Sequence, residues 1–116
     1  MNSTIERMTP IPTQSIISGV QPCAPIADNL SGTIINYGHV VTVNIMVRIN
    51  QTPGSTDTII TGLPVPVRET VITMHKRLGG GNYGVALSAG GNIYNMWEGI
   101  PTGEYTITFS YISNAV

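Results

Sequence analysis

Charged residues make up only 9% of this 116-residue chain, five basic against six acidic, leaving a net charge of −1. No basic stripe exists that would neutralise a row of phosphates, which argues against nucleic acid and against an anionic membrane surface as partners. One domain with a sizeable core is expected at this length. A charge content far below the ~25% of ordinary soluble domains predicts that part of the surface is covered by a partner or by copies of the same chain.

The first 32 residues carry four of the eight prolines, Pro10, Pro12, Pro22 and Pro25. They break every periodic pattern, so residues 1–32 read as an N-terminal connector or attachment segment with at most a short strand around Ile16 to Val20. Glu6, Arg7 and the early prolines interrupt the apolar run that a signal peptide needs. No segment approaches the ~18 apolar residues of a membrane span, so membrane insertion is not expected. The single cysteine, Cys23, excludes an internal disulfide framework and reads as a loop thiol rather than a nucleophile. Three matches to the glycosylation acceptor pattern, at Asn2, Asn29 and Asn50, read as chance in a chain rich in asparagine.

Residues 33–116 are predicted to form the folded head. His39, Val41, Val43, Ile45, Val47 and Ile49 share one parity, and Thr42, Asn44, Arg48 and Asn50 the other, the period of a half-buried strand. A run this long is expected to contain a bulge or bend. Thr58 to Thr61 reads as a short strand stopped by Gly62, and Pro64 and Pro66 forbid a central strand just after it. Ile72, Met74 and Leu78 alternate with Thr73, His75 and Arg77. Tyr83, Val85, Leu87 and Ala89 alternate with Gly84, Ala86 and Ser88. Gly90-Gly91-Asn92 then reads as a hairpin turn, with Ile93 to Trp97 as the return strand. Tyr105, Ile107, Phe109 and Tyr111 form the apolar parity of a closing strand. No helical stripe competes, so the prediction is an all-β, antiparallel, jelly-roll-like β-sandwich of about seven or eight strands.

Candidate chemistry is sparse. Gly79, Gly81 and Gly84 fit the dinucleotide-binding pattern G-x-G-x-x-G, but a strand rather than a helix follows, so a hairpin loop is expected. His39 and His75 have no cysteine or carboxylate at metal-ligand spacing. His39 is expected to pack at a strand start, and His75 to face solvent or a subunit interface. Glu6, Asp28, Asp57, Glu69, Glu98 and Glu104 form no obvious pair, and no serine sits in a nucleophile elbow. The sequence therefore predicts no enzyme, no cofactor, no catalytic residues and no metal.

Four segments in order carry a resemblance: Gly38-His39-Val40-Val41-Thr42-Val43-Asn44, Ile60-Thr61-Gly62-Leu63-Pro64, Ala89-Gly90-Gly91-Asn92-Ile93, and Tyr105 through Ser113. Over roughly residues 33–113 the chain resembles the C-terminal head domains of bacteriophage tail fibres, baseplate and other tail-tip proteins. The resemblance implies a homotrimer at the far end of a fibre. It would be located in the virion tail among other tail proteins, and would attach to the host by binding a surface saccharide. Such heads usually end far longer fibres, so either a fragment or a short standalone virion protein is expected.

Sugar recognition needs an aromatic face against pyranose C–H groups together with amides and carboxylates for the hydroxyls. Tyr94, Asn95, Trp97 and Glu98 are the densest such mixture and form the predicted ligand-binding set. Alternation puts Ile93, Asn95 and Trp97 on one face, which also allows Trp97 to anchor the core or a trimer axis. The loops Gly79 to Tyr83 and Thr52 to Thr58 are further candidates. Two other readings stay open: a purely structural tail-tip or capsid-decoration protein, and a trimeric jelly-roll head of a bacterial surface protein.

Overall fold

The computed structural model describes residues 13–15, 17–96 and 99–114 of the chain. It is all-β and antiparallel, as expected. The strands in chain order are β1 (Thr13–Ser15), β2 (Gln21–Pro22), β3 (Ala27–Tyr37), β4 (Val40–Ile49), β5 (Thr58–Thr61), β6 (Thr70–Lys76), β7 (Asn82–Leu87), β8 (Ile93–Asn95) and β9 (Gly103–Ile112). They form one sheet in the order β1-β3-β4-β9-β6-β7-β8-β5-β2. The sheet is nearly closed, because β2, paired to β5 at one end, also lies against β3 near the other. Two backbone bonds draw the ends together: Cys23 N–H to the Ile59 carbonyl at 2.8 Å and Asn50 N–H to the Ile26 carbonyl at 2.7 Å.

The predicted parity decides what lies inside. Val41, Val43, Ile45, Val47 and Ile49 are buried, while Val40, Thr42, Asn44 and Arg48 are exposed. Opposite them sit Tyr105 and Ile107 of β9, and Ile72, Met74, Val85, Leu87, Ile93, Ile59 and Ile60 complete the core. Burying an aliphatic side chain of this size contributes about 1.5–3 kcal/mol, so this inner face is the main source of stability. Tyr83 packs edge-on against Tyr105, with ring centroids 5.8 Å apart.

Several local expectations are corrected. The bulge anticipated in the His39 to Ile49 run is absent: β4 pairs with β9 in unbroken register from Val40↔Ile112 to Ile49↔Gly103. The irregularity lies in the neighbouring strand, where β3 slips against β4 between Asp28 and Ser31, and Asn29 takes a φ of 53°. The division drawn at residue 32 falls inside β3, so the sheet also takes in residues of the proline-broken segment. Around the expected early strand, Ile17–Gly19 forms a 3-10 turn. Leu78 is exposed in the loop after β6 rather than aligned with Ile72 and Met74. His39 sits exposed in the β3–β4 turn, with Nδ1 3.2 Å from the Ser113 carbonyl oxygen.

The four segments that carry the resemblance touch one another. Val40 to Asn44 pairs with Thr108 to Ile112. Leu63 N–H donates to the Gly91 carbonyl at 3.0 Å. The buried Tyr111 phenol joins the two pairs by donating to the Pro64 carbonyl at 2.8 Å. These segments are thus one connected piece of framework.

Buried phenols are expected to weaken the fold at alkaline pH. Burial, and then the neighbouring Tyr83, pushes the Tyr105 phenol up to about 12, and burial raises that of Tyr111 as well. The unfolded value is about 10. The folded state therefore holds these protons more tightly, and their contribution is complete below pH ~10 and lost as pH rises towards about 12. Melting temperature is expected to fall across that window, and less steeply in Tyr105→Phe. Parallel slopes in thermal melts of the two proteins would refute the assignment.

Candidate functional site

β8 separates the predicted site residues by parity. Ile93 and Asn95 point inwards and are fully buried, while Tyr94 points outwards and is half-buried. Tyr94 pairs with Thr58 of β5 on one side and with Ala86 of β7 on the other, and Ala86 pairs with Val71 of β6. This row across four strands brings the segment just before β6 within reach of β8. The Tyr94 phenol donates a hydrogen bond to Oε1 of Glu69. That bond, with lesser help from burial, raises the phenol's pKa. The pair presents an aromatic ring and an exposed carboxylate side by side on the outer face. Sequence reading did not join Glu69 to the site, since 25 positions separate it from Tyr94. The signal was indirect: two successive hairpins, turning at Gly79 to Gly81 and at Gly90-Gly91, stack β6, β7 and β8 side by side.

Asn95 does not face solvent, and this corrects its placement in the ligand-binding set. Its side-chain amide donates to the carbonyls of Gly54 at 2.9 Å and Pro53 at 3.2 Å. Its backbone holds the same loop, donating to the Asp57 carbonyl at 2.8 Å and accepting from Thr56 N–H at 2.9 Å. The Asp57 carboxylate closes the turn by accepting from Gly54 N–H at 2.8 Å. Asn95 therefore shapes the 53–57 loop from inside. Trp97 and Glu98 lie outside the described residues.

The remaining candidates hold structural positions. The 77–81 loop runs directly into β7, a strand, so Gly79, Gly81 and Gly84 do not open a helix that would receive a pyrophosphate. Asp28 forms a two-pronged pair with Arg48, with Nε–Oδ1 and Nη2–Oδ2 both 2.9 Å, and these bonds lower its pKa. Arg77 lies 3.5 Å from Glu104. His75 Nδ1 is 2.6 Å from Asn82 Oδ1 on the exposed face. Burial raises the Cys23 thiol's pKa and so disfavours the thiolate a nucleophile needs. Among the described residues no three His, Cys, Asp or Glu side chains converge as metal ligands would. A shallow depression of about 300 Å³ lies over the β3 bulge, lined by Gly32, Thr33, Asn44, Ile45, Met46 and Thr106.

Set against known proteins, the chain matches no family model and no curated sequence. The functional reading therefore rests on the chain's own residues and on the resemblance of its framework segments.

Proposed function

We propose that this chain is a head domain of a bacteriophage tail, non-enzymatic, assembling as a homotrimer and attaching to a saccharide on the host surface. The observation that carries the binding half of this reading is the Tyr94–Glu69 pair, displayed on the outer face beside a loop that Asn95 fixes from within. An aromatic face covers the C–H side of a pyranose, and the carboxylate accepts from two adjacent sugar hydroxyls. Met96, exposed next to Tyr94, adds apolar surface. The charge deficit supports assembly, since few ions need to be desolvated when copies meet.

The test is binding of the purified protein to a panel of bacterial wall and capsular polysaccharides, side by side with Tyr94→Ala and Glu69→Gln. Each substitution removes interactions worth roughly 1.5–3 kcal/mol, so an affinity loss of tenfold or more is expected without loss of fold. Unchanged binding by both folded variants would remove this pair from the account.

A further inference from the structure

The depression over the β3 bulge is built into the framework. β3 slips against β4 between Asp28 and Ser31, and the next residue, Gly32, sits opposite Ile45 with a φ of +112°. A Cβ on Gly32 would lie 2.3 Å from the Asn44 carbonyl oxygen, so only glycine fits there. The ladder is therefore bare of a side chain at this point. A glycine inside a strand marks a place where another molecule can approach the backbone closely, and bulges recur beside binding sites. At about 300 Å³ the space lies at the lower end of ligand clefts and suits one ring.

The lining decides which ring. Thr33 lies opposite Asn44, and Met46 opposite Thr106. Thr108 Oγ1 donates to Asn44 Oδ1 at 3.4 Å, which leaves the NH₂ group of Asn44 as the donor. Thr106 Oγ1 gives its proton to the His75 carbonyl at 3.4 Å, so its lone pairs accept. Met46 adds apolar surface. No ionised side chain lines the space, and Arg48, the cation two residues on along β4, is held by Asp28 in two bonds of 2.9 Å. A phosphate or carboxylate would find no cation in this lining, and an ammonium no anion. Uncharged donors and acceptors beside apolar surface match the hydroxyls and C–H groups of a neutral sugar.

We propose that this depression binds one pyranose ring of a neutral saccharide, through the Asn44 amide and the Thr33 and Thr106 hydroxyls, with Met46 against the ring. The ligand class follows from the lining. The inference rests on the proposed attachment reading only in taking that ring to belong to a host polysaccharide. It is a second site rather than part of the first: β4 and β8 are four strand spacings apart in the sheet, roughly 19 Å, so one ring cannot span the depression and Tyr94. A polysaccharide chain that reaches both sites is held more tightly than a single sugar at either.

Titration of the isotope-labelled full chain with glucose, galactose and N-acetylglucosamine, read from the amide NMR signal of each residue, tests this. At least one sugar should shift the signals of Gly32, Thr33, Asn44, Met46 and Thr106, saturating in the millimolar range. Asn44→Ala, which removes the amide donor at an exposed position, should weaken that binding about tenfold. Thr42→Ala, exposed on the same strand but outside the lining, should leave it unchanged. Should Asn44→Ala not fold, Thr33→Val keeps the branched shape, removes one hydroxyl and should weaken binding about threefold or more. No shift at these residues with any of the three sugars, or equal affinity in the folded variants, would overturn the inference. Shifts at Tyr94 and Glu69 with none at the depression would overturn it and leave the attachment site standing. Shifts at the depression alone would uphold it and count against the Tyr94–Glu69 pair.

Discussion

Gly91→Ala is expected to cost about 3 kcal/mol or more, enough to lower the melting temperature by roughly 10 °C or more. Two effects add. Gly91 has a φ of +85°, where an alanine is disfavoured by about 1–2 kcal/mol. A Cβ there would lie 2.2 Å from the Leu63 carbonyl oxygen, a backbone atom that moves only if the chain moves. Relief of that contact pulls apart the Leu63 N–H to Gly91 carbonyl bond, and leaving these groups unmade costs a further ~1–3 kcal/mol. Gly80→Ala is the control. Its φ is +70° but a Cβ there meets nothing within 4 Å, so only the backbone cost of about 1–2 kcal/mol is expected. Equal losses in thermal melts of the two variants would show that the Leu63–Gly91 contact is not tight.

Asn95→Asp is expected to be at least as damaging at neutral pH, by about 3–5 kcal/mol, because it replaces a buried amide donor with a charge. The Asn95 side chain is fully buried, and its NH₂ group faces the carbonyl oxygens of Pro53 and Gly54. A carboxylate at that position would set a charge against the two carbonyl oxygens that the amide now donates to. Its pKa in the folded state would rise above the unfolded value of about 3.9. The sign follows: the folded variant binds the proton more tightly, so it is least impaired below pH ~4 and loses stability as pH rises above it. Chemical denaturation at acid and neutral pH should show a gap between variant and wild type that widens with pH. A gap independent of pH would contradict the burial of this group. Asn95→Ala, which leaves the two loop carbonyls without that donor but adds no charge, should show a smaller and pH-independent loss.

The strands were legible where one face is buried and the other wet. Alternation in the His39 to Ile49 run survives into the structure because β4 lies between β3 and β9, both in register with it. Alternation says nothing about register, however, and so it misplaced the bulge. The irregularity belongs to β3, where Asn29, Leu30, Ser31 and Gly32 look like loop residues. The same segment hid the early start of the sheet, since its pairing depends on β4 residues such as Arg48 opposite Asp28.

At the candidate site, parity correctly grouped Asn95 with Ile93. What it lacked was the identity of that face, because a polar residue suggests the surface unless its partners are known. Those partners are carbonyls 41 and 42 residues away in sequence. Glu69 was missed for the same reason, being joined to Tyr94 only after two hairpins stack three strands. The short motifs behind the resemblance fared differently. Gly62-Leu63-Pro64, Gly90-Gly91 and the closing strand are stops and ladders that contact one another, which is why they stand out in the sequence.

In the proposed function the Tyr94–Glu69 pair on the β6–β7–β8 side would serve attachment. The central claim, that this chain is the attachment head of a phage tail, is tested most directly by electron microscopy of virions from the phage that encodes it, labelled with antibody raised against the purified chain. The account predicts label at the distal end of the tail or its fibres. Label on the capsid, or none on intact virions, would contradict it.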